Sequence, residues 1–234
     1  MYLIAHRGRV DEWPENSAES IPTALARADG LEVDVRLSRD GVPILMHDPD
    51  LDRTTDGVGP ADALTADELV KCSVQGRGAP VPRLHDYLEA AVAHNAPLVL
   101  LDLKEPTDTC LEVTVAVSEV FSTEGLLLAV RTDDALRRLR DLTSTARLAS
   151  LGVTVDTVNA RIEAARACDA EALFIHHGDT AYEHHRAAVA TIRAHGLVAG
   201  ASTLRTVRTV DLAEADGCGF ALVDLPLTTS EEPS

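Results

Sequence analysis

Aromatic residues make up only 3% of the 234-residue chain, with a single tryptophan. The core must therefore be built from Leu, Val, Ile and Ala, within a hydrophobic content of 45%. Cysteine is also sparse. Cys72, Cys110, Cys168 and Cys218 lie far apart with no C-x-x-C pair, which argues against a zinc cluster and for free thiols in a reducing compartment. Positive charge is in deficit, with 21 Lys and Arg against 38 Asp and Glu and a net charge of -17. Nucleic acid needs a basic face to displace counterions, so no nucleic-acid partner is expected, and anionic membrane surfaces are disfavoured too. No apolar run is long enough to cross a bilayer, and no basic start leads into an apolar stretch. Neither a stable membrane anchor nor a signal peptide is expected, and the natural location is cytoplasmic. The sequence does not fix an oligomeric state.

What is present is an alternation. Short apolar runs, expected as strands at 2–5, 31–35, 98–103, 126–130, 146–151, 172–175, 197–200 and 220–223, are separated by amphipathic stretches. Helices are expected at 133–142, 158–168, 183–195 and 206–215, among others. Near-continuous apolar strands belong to a parallel sheet covered on both faces. Eight strand–helix units in this length predict an α/β protein, a TIM (β/α)8 barrel, formed as a single domain over 1–234. An open doubly wound sheet ranks second, because no G-x-G-x-x-G follows the first strand. After the second strand, "RDG" leads into a short strand at 43–46, and the regular alternation does not resume until the strand at 98. An ordered insertion is expected there, approximately 42–95, with helical pieces at 66–71 and 84–94. Ser20 is the expected N-cap of the first helix, which puts Pro22 in its first turn and leaves Glu15 and Asn16 on the preceding loop. The tail "TTSEEPS" reads as frayed.

In such a barrel the C-terminal strand ends surround one site. Those ends carry His6 and Arg7, then Glu32 and Asp34, then His47 and Asp48 after the short strand, then Asp102 and Lys104. Glu32 and Asp34 are two residues apart in "LEVDVRL" and leave one face of their strand, opposite Leu31, Val33 and Val35. Two like charges at close range repel, and a hard divalent cation such as Mg2+ or Ca2+ turns that repulsion into binding; Asp102 offers a third carboxylate. His6 and His47 end different strands at one rim, where imidazoles serve as acid and base. Arg7 and Lys104 place cations beside them, as a phosphate oxyanion requires. The residues thus predict a metal-assisted reaction on a phosphate ester.

The stretches "AHRG", "PENS", "LEVDVRLSRDGVPILMHDPDLDRTTDGVG", "LTADEL", "DLK" and "VDLP" resemble the glycerophosphodiester phosphodiesterases. The match is dense from His6 to Gly59 and mainly architectural after residue 98. The resemblance implies a TIM barrel with a small insertion after the second strand, a divalent metal, Mg2+ or Ca2+, and a small-molecule phosphodiester substrate. It implies hydrolysis of glycerophosphodiesters to an alcohol and glycerol 3-phosphate. By that resemblance His6 and His47 are the acid/base pair, with His6 as base and His47 as acid. Glu32, Asp34 and Asp102 bind metal, Arg7 and Lys104 hold the phosphate, and Glu15 and Asn16 support the pocket. The chain departs from the family in four places. Asp102 replaces the usual glutamate of E-x-K, as in the related phospholipase D toxins, which lack the "HRG" and "PEN" set. Ala201 to Thr203 replace a tryptophan-threonine pair, His85 replaces a glutamate after the insertion, and Arg131 replaces a serine-phenylalanine pair. These last three changes are expected around the alcohol side of the pocket. A diesterase for another headgroup, a lysophospholipase D, and an inactive barrel that binds phosphorylated ligands are the competing readings. His176 and His177 end the sixth strand, so one of them is expected at the rim; His184 and His185 read as an exposed helix face.

Overall fold

The structure is a computed structural model, and it describes residues 1–121, 125–176 and 185–229. Eight strands run parallel and close on themselves: β1 (Tyr2–Ala5), β2 (Gly30–Leu37), β6 (Val99–Leu103), β7 (Leu126–Val130), β8 (Arg147–Val153), β9 (Ala172–His176), β10 (Val198–Thr206) and β11 (Phe220–Thr228). Pairing of β1 with both β11 and β2 closes the ring, so the predicted TIM barrel is the fold. The remaining strands, β3 (Pro43–Leu45), β4 (Ser73–Val74) and β5 (Ala79–Pro80), lie outside the ring.

Alternation along each strand sorts two cores. Ile4, Leu100, Leu127, Ala129, Ala149, Leu151, Ala172, Phe174, Phe220 and Leu222 fill the barrel interior. The intervening residues, among them Leu31, Val33, Val35, Leu101, Leu103, Leu128 and Val130, pack outward under the helices. Gly200 is required by this filling, since a Cβ there would lie 2.4 Å from the Phe174 ring. The helices are α1 (Ile21–Leu25), α2 (Ala66–Leu69), α3 (Leu84–Ala93), α4 (Asp108–Val120), α5 (Asp133–Leu142), α6 (Val158–Ala167), α7 (Arg186–Ala194) and α8 (Val207–Ala215). Thr107, Thr132 and Thr206 cap α4, α5 and α8 through side-chain oxygens that accept from the first turn. No helix is long and apolar enough to cross a membrane among the described residues.

Three details differ from expectation. Helix α1 does begin after Ser20 with Pro22 in its first turn, but Ser20 is itself helical in φ/ψ and does not cap; its hydroxyl donates to the Ser17 carbonyl. The insertion closes earlier than residue 95. Ile44, Met46, Leu51, Ala61, Ala66, Leu69, Val74 and Val81 form a core of their own, whereas Leu84, Tyr87, Leu88 and Ala91 of α3 belong to the main core. The helix at 84–94 is thus the barrel's second crossover helix, not part of the excursion. Thirdly, His185 is 4% exposed rather than on an open helix face. His177, His184, part of the helix expected from 183 and the last five residues of the tail lie outside the described residues.

Candidate active site

Period-two alternation along the barrel strands carries polar side chains inward near the mouth. Glu32 and Asp34 project into the barrel from β2, and Asp102 from β6 is the cross-strand neighbour of Asp34. All three are buried, at 1%, 0% and 1% exposure, and a ligand oxygen from each lies within 4.8 Å of the others. The expected carboxylate trio is therefore assembled. Burial, followed by the charge of Asp34, pushes Glu32 up to about 7. Asp34 goes the other way: burial opposes its ionisation, but Lys104 and Arg7 outweigh that and hold its pKa below the usual value. Lys104 Nζ stands 2.6 Å from Asp34 Oδ1 and 2.6 Å from Asp102 Oδ2. Asp102 Oδ1 is buried with no hydrogen-bond partner. An unpartnered carboxylate oxygen beside a carboxyl that resists ionisation fits a hard divalent cation, and these three residues could hold one.

The "PENS" loop braces this trio. Asn16 donates through Nδ2 to Asp34 Oδ2 at 2.9 Å, and its Oδ1 accepts from the Asp34 backbone N–H at 3.0 Å. Asn16 sits at φ 57°, a left-handed conformation that asparagine tolerates better than most residues. Arg7 is also left-handed, at φ 58°, so the chain turns sharply after β1. That turn aims the Arg7 backbone N–H at Glu32 Oε2, 2.6 Å away. The Arg7 side chain donates from one terminal nitrogen to both oxygens of Glu15, at 3.0 and 3.1 Å. Arg53, from the insertion, donates to the same Glu15 at 2.7 and 3.1 Å and also pairs with Asp48.

The two imidazoles share a design. His6 Nδ1 lies 2.7 Å from Asp224 Oδ1, midway along β11, and His47 Nδ1 lies 2.6 Å from Asp48 Oδ1. Each carboxylate fixes its ring and leaves Nε2 to the site. Burial would depress His6, but the hydrogen bond to Asp224 and the charges of Glu32 and Asp224 raise it above its ordinary value. At His47 burial prevails over Asp48 and the pKa falls. Burial would raise Asp224, but His6 and Arg205 bring it down to about 2.

His6, Arg7, Glu32, His47, Asp102 and Lys104 line one cavity of about 420 Å³ at the barrel mouth, together with Arg36, Arg131, Leu151, His176, Ser202, Thr203, Arg205 and Leu222. Asp34, Glu15 and Asn16 stand just behind that lining. His176 reaches the rim as expected. His85 does not: it is exposed on α3 and packs its ring against Phe121, with centroids 5.4 Å apart. Asp224 and Arg53 were missed, and Asp48 was noted without a role. For Asp224 a signal existed, since it continues the inward series Phe220, Leu222 along its strand.

The profile of the Glycerophosphoryl diester phosphodiesterase family matches residues 6–227. Glycerophosphodiester phosphodiesterase 1 of Rattus norvegicus is 34% identical over 114 residues, 45% of this chain and 34% of that protein. The glycerophosphodiester phosphodiesterase of Caldanaerobacter subterraneus is 35% identical over 94 residues, 37% of this chain and 39% of that protein. The matched stretches thus span well under half of either relative's length. Among solved structures, an Oleispira antarctica phosphodiesterase in complex with the product sn-glycerol-3-phosphate has the same fold, with a TM-score of 0.85 at 24% identity, covering 97% of this chain and 94% of that one. With nearly its whole length matched, this chain belongs to the glycerophosphoryl diester phosphodiesterase family.

Proposed function

We propose that the chain is a metal-dependent phosphodiesterase that hydrolyses glycerophosphodiesters to an alcohol and glycerol 3-phosphate. The observation that carries this reading is the pair of carboxylate-anchored imidazoles, His6–Asp224 and His47–Asp48, in the same mouth as three buried carboxylates. Glu32, Asp34 and Asp102 would hold the divalent cation, Mg2+ or Ca2+, which supplies Lewis-acid stabilisation of phosphate charge when bound. Arg7 and Lys104 would hold the phosphate. Glu15 orients Arg7, and Asn16 orients Asp34, so both support the pocket rather than touch substrate.

One imidazole takes the proton of a free glycerol hydroxyl as its oxygen bonds to phosphorus. The other gives a proton to the departing alkoxide as the old phosphorus–oxygen bond breaks. The cyclic phosphate is then opened by water with the two roles exchanged, which restores both protonation states. The charge environments favour the opposite polarity to the one expected from the sequence, His6 as the acid and His47 as the base: Asp224 and Glu32 raise His6 above its ordinary value against its burial, and burial lowers His47. Four free cysteines, three of them buried, agree with a cytoplasmic location.

The test is a screen of the purified protein on glycerophosphodiesters with Mg2+, Ca2+ or chelator, following glycerol 3-phosphate release. His6→Ala and His47→Ala should each lower kcat by about 10²- to 10⁴-fold with the circular dichroism unchanged. Near-normal turnover in either variant would remove that histidine from the mechanism.

A further inference from the structure

The ring order of the barrel separates the mouth into two halves. The carboxylate trio stands on β2 and β6, and the strands diametrically across the closed ring are β9 and β10. The lining contributed from β7 through β10 and the residues that follow them is Arg131, Leu151, His176, Ser202, Thr203 and Arg205. Among these described residues there are two guanidiniums and an imidazole, no acid and no aromatic. The chain as a whole carries 38 acids against 21 Lys and Arg, so an arc whose described residues are basic and include no acid is not what its composition would scatter there.

These cations are not used up by protein partners. Arg205, 73% exposed, donates to Asp224 through Nε alone, and its two terminal nitrogens have no protein acceptor among the described residues. Arg131, 50% exposed, donates to Asp102 through one terminal nitrogen and keeps its other donors. Ser202 and Thr203 stand on β10, the strand that also carries Arg205, and Ser202 is the cross-strand neighbour of His176 on β9. A quaternary ammonium wants aromatic faces, and the described residues of this arc include no Phe, Tyr or Trp. An acyl chain wants apolar wall, and among the described residues of the arc Leu151 is the one large apolar side chain. A phosphate or carboxylate matches forked guanidinium donors beside hydroxyls.

We propose that this arc selects diesters whose departing alcohol itself carries a negative charge, a phosphate or carboxylate, with Arg131 and Arg205 as the specificity-determining residues. The proposal rests on the diesterase reading above.

The test compares kcat/KM on three substrates with the metal-loaded enzyme: glycerophosphoinositol 4-phosphate, glycerophosphoinositol and glycerophosphocholine. The first two differ by one phosphate group on the alcohol. The phosphorylated substrate should exceed its neutral counterpart by about tenfold, the factor that about 1.4 kcal/mol of added ion pairing gives, and the choline diester should be the poorest. Arg131→Gln and Arg205→Gln should each bring the phosphorylated-to-neutral ratio to about two or less, while Arg205→Lys keeps it above that. Because each variant is its own reference, a general loss of rate through Asp102 or Asp224 does not disturb the ratio. A ratio near one in the parent enzyme, or a ratio that survives both Gln substitutions, would overturn the inference and leave the diesterase reading standing. Failure to cleave any of the three, or any other glycerophosphodiester, would overturn the reading and this inference with it.

Discussion

At the scale of single residues, each site group is held by a second group whose loss has a distinct signature. Asp224 supplies the hydrogen bond and part of the charge that lift His6 against its own burial. Asp224→Asn keeps the shape but can no longer supply the charge. The His6 pKa should then drop below its ordinary value, visible by NMR titration of the imidazole in the metal-free protein, and kcat should fall about 10- to 100-fold. An unchanged His6 titration would show that Asp224 does not set its protonation. Asn16 acts on the metal side. It clamps both the side chain and the backbone of Asp34 from a left-handed position. Asn16→Ala should weaken divalent-metal affinity about 10- to 100-fold by calorimetry, through loss of the brace and adverse backbone strain. The sequence displayed Glu32 and Asp34 plainly, because a period of two leaves no choice about their shared face. Asp224 continues the inward series of its strand, but its role is not visible there, since its partner His6 lies 218 positions away and only ring closure brings the two together.

At the scale of elements, the insertion is a small module with its own core, yet it delivers His47, Asp48 and Arg53 to the site. Its helix α2 has only four residues and depends on a capping box: Thr65 accepts from the Glu68 backbone, and Glu68 accepts from the Thr65 backbone. The "LTADEL" stretch carries that box openly. The end of the module was not legible, because the 84–94 helix continues the same apolar pattern; only its packing on the barrel reveals which core owns it. Leu51 is fully buried within the module. Leu51→Ala should cost about 2–4 kcal/mol of local stability. Hydrogen exchange should accelerate over residues 46–81 while the barrel strands keep their protection, and kcat should fall as His47 loses its seat. Uniform acceleration across barrel and insertion would show that the two cores unfold as one.

At the scale of the whole molecule, proton binding, cation binding and stability are linked through the buried trio. Glu32 holds its proton to about 7 in the folded, metal-free protein, against an ordinary value of 4.5 when unfolded. Its contribution is therefore fully present below pH 4.5 and is lost as pH rises through 7. His6, also raised, loses its contribution in the same direction above its ordinary value. His47 is lowered and acts the opposite way between its depressed pKa and 6.5. Asp224, held at about 2, matters only in acid, where its contribution disappears as pH falls from 3.8 through 2. A divalent cation on the trio reverses the Glu32 effect, because the ion favours the carboxylate that burial disfavours. The gap in Tm between metal-loaded and metal-free protein should therefore widen with pH. At a metal concentration about 100 times Kd the stabilisation is about 2.7 kcal/mol, which for a chain of this size is about 5–10 °C. Scanning calorimetry at fixed metal concentration should give that gap at pH 8 and a smaller one at pH 5.5, where the ion must first displace the Glu32 proton. Calorimetric metal titration in two buffers of different ionisation enthalpy should show about one proton released per ion at pH 6 and almost none at pH 8.5. Equal Tm gaps at both pH values, with no proton release at pH 6, would mean that Glu32 is already ionised before the cation arrives and that its burial is relieved by the surrounding cations alone.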